Sequence, residues 1–443
     1  MLSAKISENN WSNEGFKRYT KNTGYLFLEK IVRMLVVIFV WASMARYLGA
    51  EKFGIFSFSL SFIYLFGIAA DLGLEHIVIR DLVKGIYKRS QVVGTAFILK
   101  LLGATLAIVL ILVLSNCLSI DTYTKLIVSI LSLQLFFRSF DAIDFYFQSR
   151  VLSKYAVYSQ IGGSLVTTVL CLSFIYLKLP LQYFACAVVV EAVVTSLGLS
   201  IFYIKKHQKV SSWHFDINIG RNLLGDAWPM ILSGFAIAIY MRIDQIMIKE
   251  MLGASAVGYY AAAARISEAF YFIPTAITTS LFPAIVNARK NDPLKYKNRI
   301  RVLFSILFWS AMTIAIVGSL AAEPIIKILY GETFSAAAAV LSIHVWANVS
   351  VFLGEVRHKW AVNENLQIFT MFYLILAAFL NVGLNLILIP VLKIQGAAIA
   401  TVAAQFTANV LCNLFHEKTK PIFLVQVQAV NLVGALKNFK LSG

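Results

Sequence analysis

The sequence predicts an all-α integral membrane protein of about twelve transmembrane helices, set as two pseudo-symmetric six-helix lobes. Three observations predict it. Of 443 residues, 59% are hydrophobic and only 14% charged, and the mean hydropathy is +0.76, more apolar surface than a soluble core needs. Apolar runs of roughly twenty residues, the length that crosses a bilayer, follow one another along the chain. A short polar turn, Arg46-Tyr47-Leu48-Gly49-Ala50-Glu51-Lys52-Phe53-Gly54, returns as Glu250-Met251-Leu252-Gly253-Ala254-Ser255-Ala256-Val257-Gly258, an offset of 204 residues, each time between two apolar runs.

Taken in order, residues 1–22 are polar and carry Lys5, Lys17, Arg18 and Lys21, without a short apolar core and small-residue cleavage site. They read as a cytoplasmic lead-in to a retained helix. Apolar runs at about 24–46, 54–79, 91–114, 123–147, 157–177 and 181–204 form an N-lobe over residues 23–206. A polar linker over 207–222, with Trp213 as an interface anchor, joins it to a C-lobe over 223–416. The C-lobe runs fall at about 223–249, 257–285, 301–321, 335–356, 366–390 and 395–415, and residues 417–443 form a cytoplasmic tail.

Lys and Arg accumulate in alternate connections. Arg80, Lys84, Lys88 and Arg89, then Arg150 and Lys154, Lys205 to Arg221, Arg289 to Arg301, Arg357 with Lys359, and the C-terminal lysines lie on one side; the other side holds only a few scattered lysines and Arg46. The positive-inside bias places both termini in the cytoplasm and accounts for the net charge of +17 without nucleic acid. Four cysteines, Cys117, Cys171, Cys186 and Cys412, lack CxxC spacing and read as small buried hydrophobes, so no metal site or disulfide framework is expected. No GxxxxGK[ST], HExxH or GxSxG occurs, no cofactor is implied, and no extramembranous loop is long enough for enzyme chemistry.

Function is therefore expected among charges inside the spans, each of which costs about 2.5–3.5 kcal/mol at a helix centre unless it meets a partner or water. The cations are Lys30, Arg33, Lys100, Arg138, Arg242 and Arg265; the acids are Glu29, Asp71, Glu75, Asp141, Asp144, Glu191, Asp244, Glu268 and Glu355. Gln134, Arg138, Asp141 and Gln148 share one stripe in which Arg138 and Asp141 can pair, and Glu29 and Arg33 stand one turn apart. Asp71 and Glu75 repeat that interval with like charges, which calls for a proton or a cation from another helix. Arg242 and Asp244 face Arg265 and Glu268 across the second hairpin, as an interhelical network or as ligand contacts. Lys100 and Glu191 have no opposite charge within a turn, and His344 reads as a packed or lumen-facing group. The aromatic cluster Phe136 to Phe147 reads as lipid or helix contact, Gly162-Gly163-Ser164 and Gly396-Ala397-Ala398 as close-approach sites, and Pro229, Pro274 and Pro283 as kinks.

The first turn with Ser57-Phe58 and Asp71-Leu72-Gly73-Leu74 resembles the opening hairpin of Wzx-type polysaccharide flippases. So do Met241-Arg242-Ile243-Asp244-Gln245-Ile246-Met247, Val257-Gly258-Tyr259-Tyr260, Ala264-Arg265-Ile266-Ser267-Glu268, Leu281-Phe282-Pro283, Leu329-Tyr330-Gly331 and Gly396-Ala397-Ala398-Ile399-Ala400-Thr401. That resemblance implies the multidrug/oligosaccharidyl-lipid/polysaccharide exporter superfamily, with two lobes that alternate access to a cavity. The implied cargo is an undecaprenyl-diphosphate-linked oligosaccharide repeat unit, moved to the outer leaflet of a bacterial inner membrane for O-antigen, capsule or exopolysaccharide assembly. Glycan polymerase and chain-length proteins are the implied partners. Arg33, Lys100, Arg138, Arg242 and Arg265 are the expected anion-binding side chains, with Glu29, Asp71, Glu75, Asp141, Asp144, Glu191, Asp244 and Glu268 as coupling or structural partners. A cation-coupled multidrug exporter and a lipid II flippase stand as alternatives of the same fold.

Overall fold

A computed structural model describes residues 13–117, 120–206, 208–291 and 293–431, which are helical and contain no strand. One bundle holds α1 (Asn13–Asp71), α2 (Glu75–Lys84), α3 (Arg89–Cys117), α4 (Thr122–Ser132), α5 (Gln134–Arg138), α6 (Asp141–Ser149), α7 (Lys154–Tyr176) and α8 (Leu181–Lys205). The other holds α9 (Ile217–Leu252), α10 (Ala254–Glu268), α11 (Phe272–Asn291), α12 (Pro293–Leu320), α13 (Ala322–Tyr330), α14 (Ala336–His344), α15 (Ala347–Asn363), α16 (Gln367–Asn409) and α17 (Lys420–Gln428). Among the described residues nine helical stretches are long and apolar enough to cross a membrane. Two of them cross twice: Phe27–Lys84 doubles back at Gly49 and Gln367–Leu414 at Lys393. With the crossing shared by α10 and α11, the twelve expected passages are present.

The repeated turn has one backbone conformation in both copies. Gly49 has φ 73°, ψ 171° and Gly253 φ 92°, ψ 176°, a region that a Cβ makes costly. Each glycine therefore ends one helix and aims the next back across the bilayer. Elsewhere the crossings are broken by tight turns. Between α4 and α6, amides at Leu133, Phe136, Ser139, Phe140, Ala142 and Ile143 bond to carbonyls three residues back, which overwinds the chain. In the α10–α11 crossing, Ala269–Tyr271 is a 3₁₀ turn, and Pro274 falls in the first turn of α11. Its missing N–H is an orphan there anyway, so Pro274 starts a helix where the sequence suggested a kink. Pro229 lies inside the continuous helix α9, and the side chain of Pro283 lies outside the described residues.

Among the described residues burial forms three large cores, the first of them joined from both bundles, and a small cluster of Ala377, Ala404 and Ala408. Phe53, Phe56 and Phe58 of α1 pack in a single cluster with Tyr260 of α10, Ile326 and Tyr330 of α13 and Phe334, so both bundles contribute. A second cluster, with Leu74, Val92, Phe147 and Tyr203, lies in the first bundle but takes Ile219, Leu223 and Ala227 from the start of α9. The third, with Phe304, Phe352, Trp360 and Val425, belongs to the second bundle alone. Helix α9 thus begins against one bundle and ends along α16 in the other. Trp213 is held inside the first bundle, its ring 5.1 Å from Phe97 and its Nε1 donating to the Tyr203 hydroxyl at 3.2 Å. Exposed Leu102, Leu106, Val109 and Val113 recur at four and three residues along α3, a lipid-facing stripe. Cys171 and Cys412 are buried as expected, whereas Cys117 and Cys186 are exposed.

Candidate functional site

The joined core ends in a seam at the face opposite the Lys/Arg-rich connections. A Cβ on Gly54 would lie 1.8 Å from the Ala254 carbonyl oxygen, and one on Gly258 would lie 2.0 Å from that of Ala50. The same contact is made twice, because 54 and 258, like 50 and 254, are related by the 204-residue repeat. Small residues let the hairpins cross backbone to backbone. Phe53 backs the seam with ring centroids 6.4 Å from Tyr330 and 6.1 Å from Phe334. Two polar ties span the bundles beside it. The Arg46 guanidinium donates to the carbonyls of Lys327, at 3.3 Å, and Ile328, at the negative end of α13. Lys249 of α9 reaches Asp121 of the first bundle at 3.6 Å.

Below the seam is a chamber of about 170 Å³ lined by Arg138, Arg242, Arg265, Glu268, Gln245 and Tyr64 among others. Arg242 and Glu268 form a bidentate pair, with both bonds at 3.0 Å. Arg242 also covers the Tyr64 ring, centroid 5.5 Å away. Arg265 lies 3.7 Å over the Trp41 ring centroid, and its Nε is buried without a hydrogen-bond partner. Both arginines come from the second bundle and rest on aromatic rings of the first. Cation–π contacts of this kind contribute about 0.5–2 kcal/mol each, and they tie the bundles through groups that an anion could take over.

Leu60, Gln134 and Arg138 also line a larger vestibule of about 1460 Å³ between the bundles, which continues to Val362, Gln367 and Asn409 toward the Lys/Arg-rich face. The first-bundle wall carries Asp71, Glu75, Asp141, Asp144 and Glu191 against Lys100 and Arg138. Lys100 is buried and bridges Asp71 at 2.7 Å and Asp141 at 3.7 Å. Its counter-charges come from neighbouring helices, which spacing along α3 does not reveal. The cation expected to meet the Asp71–Glu75 repulsion is this lysine, while Glu75 accepts from the Gln148 amide at 3.4 Å. Arg138 does not pair with Asp141: the turn at Ser139–Phe140 separates them, Asp141 turns to Lys100, and Arg138 is exposed to the cavity with no ion pair among the described residues. Glu191 accepts from the Ser164 hydroxyl at 3.1 Å.

Asp244 is not part of the Arg242–Glu268 network. It is 1% exposed in the interior of the second bundle, accepting from the Tyr260 hydroxyl at 2.7 Å, from Asn385 Nδ2 at 2.6 Å and from the Thr401 hydroxyl. Residues 242 and 244 are two apart on a helix, so they point to different faces. His344 is buried edge-on to Tyr260, ring centroids 5.9 Å apart, and does not line the cavity. Glu29 is buried, and the Arg33 side chain lies outside the described residues. Arg357 and Lys359, which the charge pattern assigned to a connection, stand on α15 in the second-bundle wall of the vestibule beside Glu355 and His358. The Glu355–Lys359 pair at i,i+4, 3.7 Å apart, was the available sign that this helix runs on.

Two bundles sealed together at one face, with a charged cavity between them, define a multi-pass membrane transporter. Solved structures share the fold: a MATE family transporter of the MOP superfamily in an inward-facing conformation, with TM-score 0.71 and 15% identity over 91% of this chain and 96% of that one, and the lipid II flippase MurJ in an inward closed conformation, with TM-score 0.72 and 14% identity over 96% and 93%. The family model described as "Polysaccharide biosynthesis protein" matches residues 19–289, and a MatE model matches residues 229–387. The chain belongs to the polysaccharide biosynthesis protein family. It is similar to a Shigella flexneri protein named "Putative O-antigen transporter", 24% identical over 329 residues that cover 71% of this chain and 77% of that one. It is also similar to the "Probable flippase AglR" of Haloferax volcanii, 33% identical over 178 residues, 39% of this chain and 37% of that one.

Proposed function

We propose that this chain is a flippase that carries an undecaprenyl-diphosphate-linked oligosaccharide repeat unit across the bacterial cytoplasmic membrane, for O-antigen, capsule or exopolysaccharide assembly. The observation that carries this reading is the vertical order of charge: Arg138, with no ion pair among the described residues, and the Arg242 and Arg265 guanidinium groups sit at the head of the vestibule, directly beneath the seam. A diphosphate loses its hydration in hydrocarbon, and guanidinium groups in a polar chamber replace it with charge-assisted hydrogen bonds. Residues 23–206 and 223–416 act as the two lobes, 207–222 as the linker and 417–443 as the tail. The Lys/Arg-rich face and both termini lie in the cytoplasm, so the seam closes the outer side and the vestibule receives cargo from within. Entry of the headgroup lets Arg265 exchange its Trp41 ring for phosphate oxygen. That exchange removes one of the contacts holding the lobes together outside. Lys100, held by Asp71 and Asp141, serves as a charge-balanced strut that reorganises if either acid takes a proton. Asp244, deep in the C-lobe with three hydrogen-bond donors, is the acid placed to sense a coupling cation.

Replacing Arg138 or Arg265 with Ala in a strain dependent on this protein tests the assignment: surface glycan is expected to vanish while membrane protein level is kept. Normal export by both variants would end it. A second reading has one observation in its favour, because five carboxylates against two cations on the first-lobe wall suit a cation-coupled multidrug exporter. Efflux of a cationic dye by the purified, reconstituted protein, with no translocation of lipid-linked glycan, would establish that reading instead.

A further inference from the structure

Four of the cavity cations described above each have a partner or stand open to the cavity. Lys100 has two carboxylates, Arg242 has Glu268, Arg265 has an aromatic face, and Arg138 is exposed. Arg357 on α15 has none of these. It is 3% exposed, lines the vestibule on the C-lobe wall, and makes no hydrogen bond, ion pair or ring contact among the described residues. Its Nε is buried and unpartnered. The terminal nitrogens are not among the buried, unpartnered atoms, so they reach cavity space. The ionisable groups near it are Tyr240, Tyr373, Cys412 and the adjacent His358, none of them a carboxylate. The acid nearest in sequence is already committed, since Glu355 faces Lys359 at 3.7 Å and accepts from the Thr278 hydroxyl at 3.3 Å. A guanidinium withdrawn from water without a counter-charge carries a desolvation penalty of several kcal/mol. Folding gains nothing visible in return, so the compensation is expected from something that enters the vestibule.

We infer that Arg357 is a second anion post, on the lobe opposite Arg138, which takes an oxyanion of the cargo, phosphoryl or sugar carboxylate, in the inward-open state. This rests on the flippase reading and adds to it a contact from the C-lobe. A planar guanidinium presents two parallel donors to such a group. An oxyanion held between Arg357 and Arg138 would attract both lobes from within the cavity, opposing the closure that must follow at the cytoplasmic side unless the cargo moves up to Arg265. The post therefore serves loading rather than the crossing itself.

The test uses the full-length protein in nanodiscs, with Arg357→Gln and Arg357→Lys beside the native chain. The probes are geranylgeranyl diphosphate, which has phosphate and no sugar, and a hyaluronan tetrasaccharide, which has carboxylates and no phosphate. Arg357→Gln is expected to weaken one probe about 10- to 100-fold, the size of a lost hydrogen-bonded charge pair, and Arg357→Lys by less. The weakened probe identifies the source of the oxyanion. Because no group among the described residues is paired with Arg357, the ligand-free melting temperature is expected to stay level or rise in Arg357→Gln. Unchanged affinity for both probes, or a fall in the ligand-free melting temperature, overturns the inference. If Arg138→Gln loses binding while Arg357→Gln does not, the post is wrong and the flippase reading stands. If the native chain binds neither probe, both fall.

Discussion

Adding a single carbon at Gly54 loads the tightest crossing in the molecule. The new Cβ would sit 1.8 Å from the Ala254 carbonyl oxygen, 2.7 Å from its carbon and 2.9 Å from the Gly258 amide nitrogen. Backbone, not a flexible side-chain end, is what it meets, so neither helix can yield by changing a rotamer. Restoring a separation of about 3.0–3.4 Å requires α1 and α10 to part by about 1.2–1.6 Å at this point. Overpacking of this kind costs about 1–3 kcal/mol, and here the cost falls only on the state in which the seam is closed. The ratio of outward-open to closed molecules is expected to rise about 5- to 150-fold, the factor that corresponds to that energy. Gly258→Ala is expected to act alike, since its Cβ would meet the Ala50 carbonyl oxygen at 2.0 Å. The double variant is expected to show less than the sum, because helices already parted by one methyl no longer resist the other.

Spin labels at Lys52 and Glu332, both exposed and on opposite lobes beside the Phe53–Phe334 contact, report the change by pulsed electron resonance distances. The exposed Cys117 and Cys186 are first replaced by serine so that only the chosen sites carry labels. A native-like distance distribution in Gly54→Ala, at unchanged thermal stability, would refute the claim that this crossing is the outer gate. A loss of stability with no long-distance population would also refute it, since the cost would then fall on both states.

The remaining predictions follow from the same geometry. Gly49→Ala meets no atom within 4 Å of its new Cβ but must hold φ 73°, so it is expected to cost about 1–3 kcal/mol of stability in a denaturation series, with no shift between conformations. Arg242→Ala leaves Glu268 partly buried without its bidentate partner, and is expected to lower membrane abundance, whereas Arg242→Ala with Glu268→Gln recovers abundance but not glycan export; equal abundance in both would show the pair is not structural. Burial tends to raise the Asp121 carboxyl, but the Thr124 hydroxyl and amide and the Lys249 charge outweigh it and hold it below the usual range. A carboxylate so depressed keeps its ties above the unfolded value of 3.8 and loses them only as pH falls through the lower folded value. The Asp121–Lys249 contribution to outer closure is thus expected to be constant from pH 8 to pH 5, and Asp121→Asn to remove it throughout; a strong pH dependence of the label distance within that range that Asp121→Asn abolishes would contradict this assignment.

The duplicated turn was legible because glycine is the local solution to a backbone demand: Gly49 and Gly253 occupy the same region of φ and ψ, and any chain that folds this hairpin twice shows the spacing. Span positions were legible for a similar reason, since the bilayer imposes a length on each apolar run. Charge pairing was not. Periodicity within one helix pointed Arg138 at Asp141 and left Lys100 alone, while the fold breaks the first pair with a turn and brings Lys100 two acids from other helices. Inside a membrane the need for a counter-charge is strong, but it is met between helices, and sequence spacing carries no record of which helices are neighbours. The positive-inside pattern misled in the same way at Arg357, because counting a basic residue near a span end assigns it to a loop whether or not the helix continues. What distinguishes Arg357 from the cations of the connections is burial without a partner among the described residues, a property of three dimensions alone. Of the cations that sequence reads as anomalies the fold pairs Lys100 and Arg242 with carboxylates and sets Arg265 on aromatic rings, whereas Arg357, which sequence reads as ordinary, is buried without any such contact among the described residues.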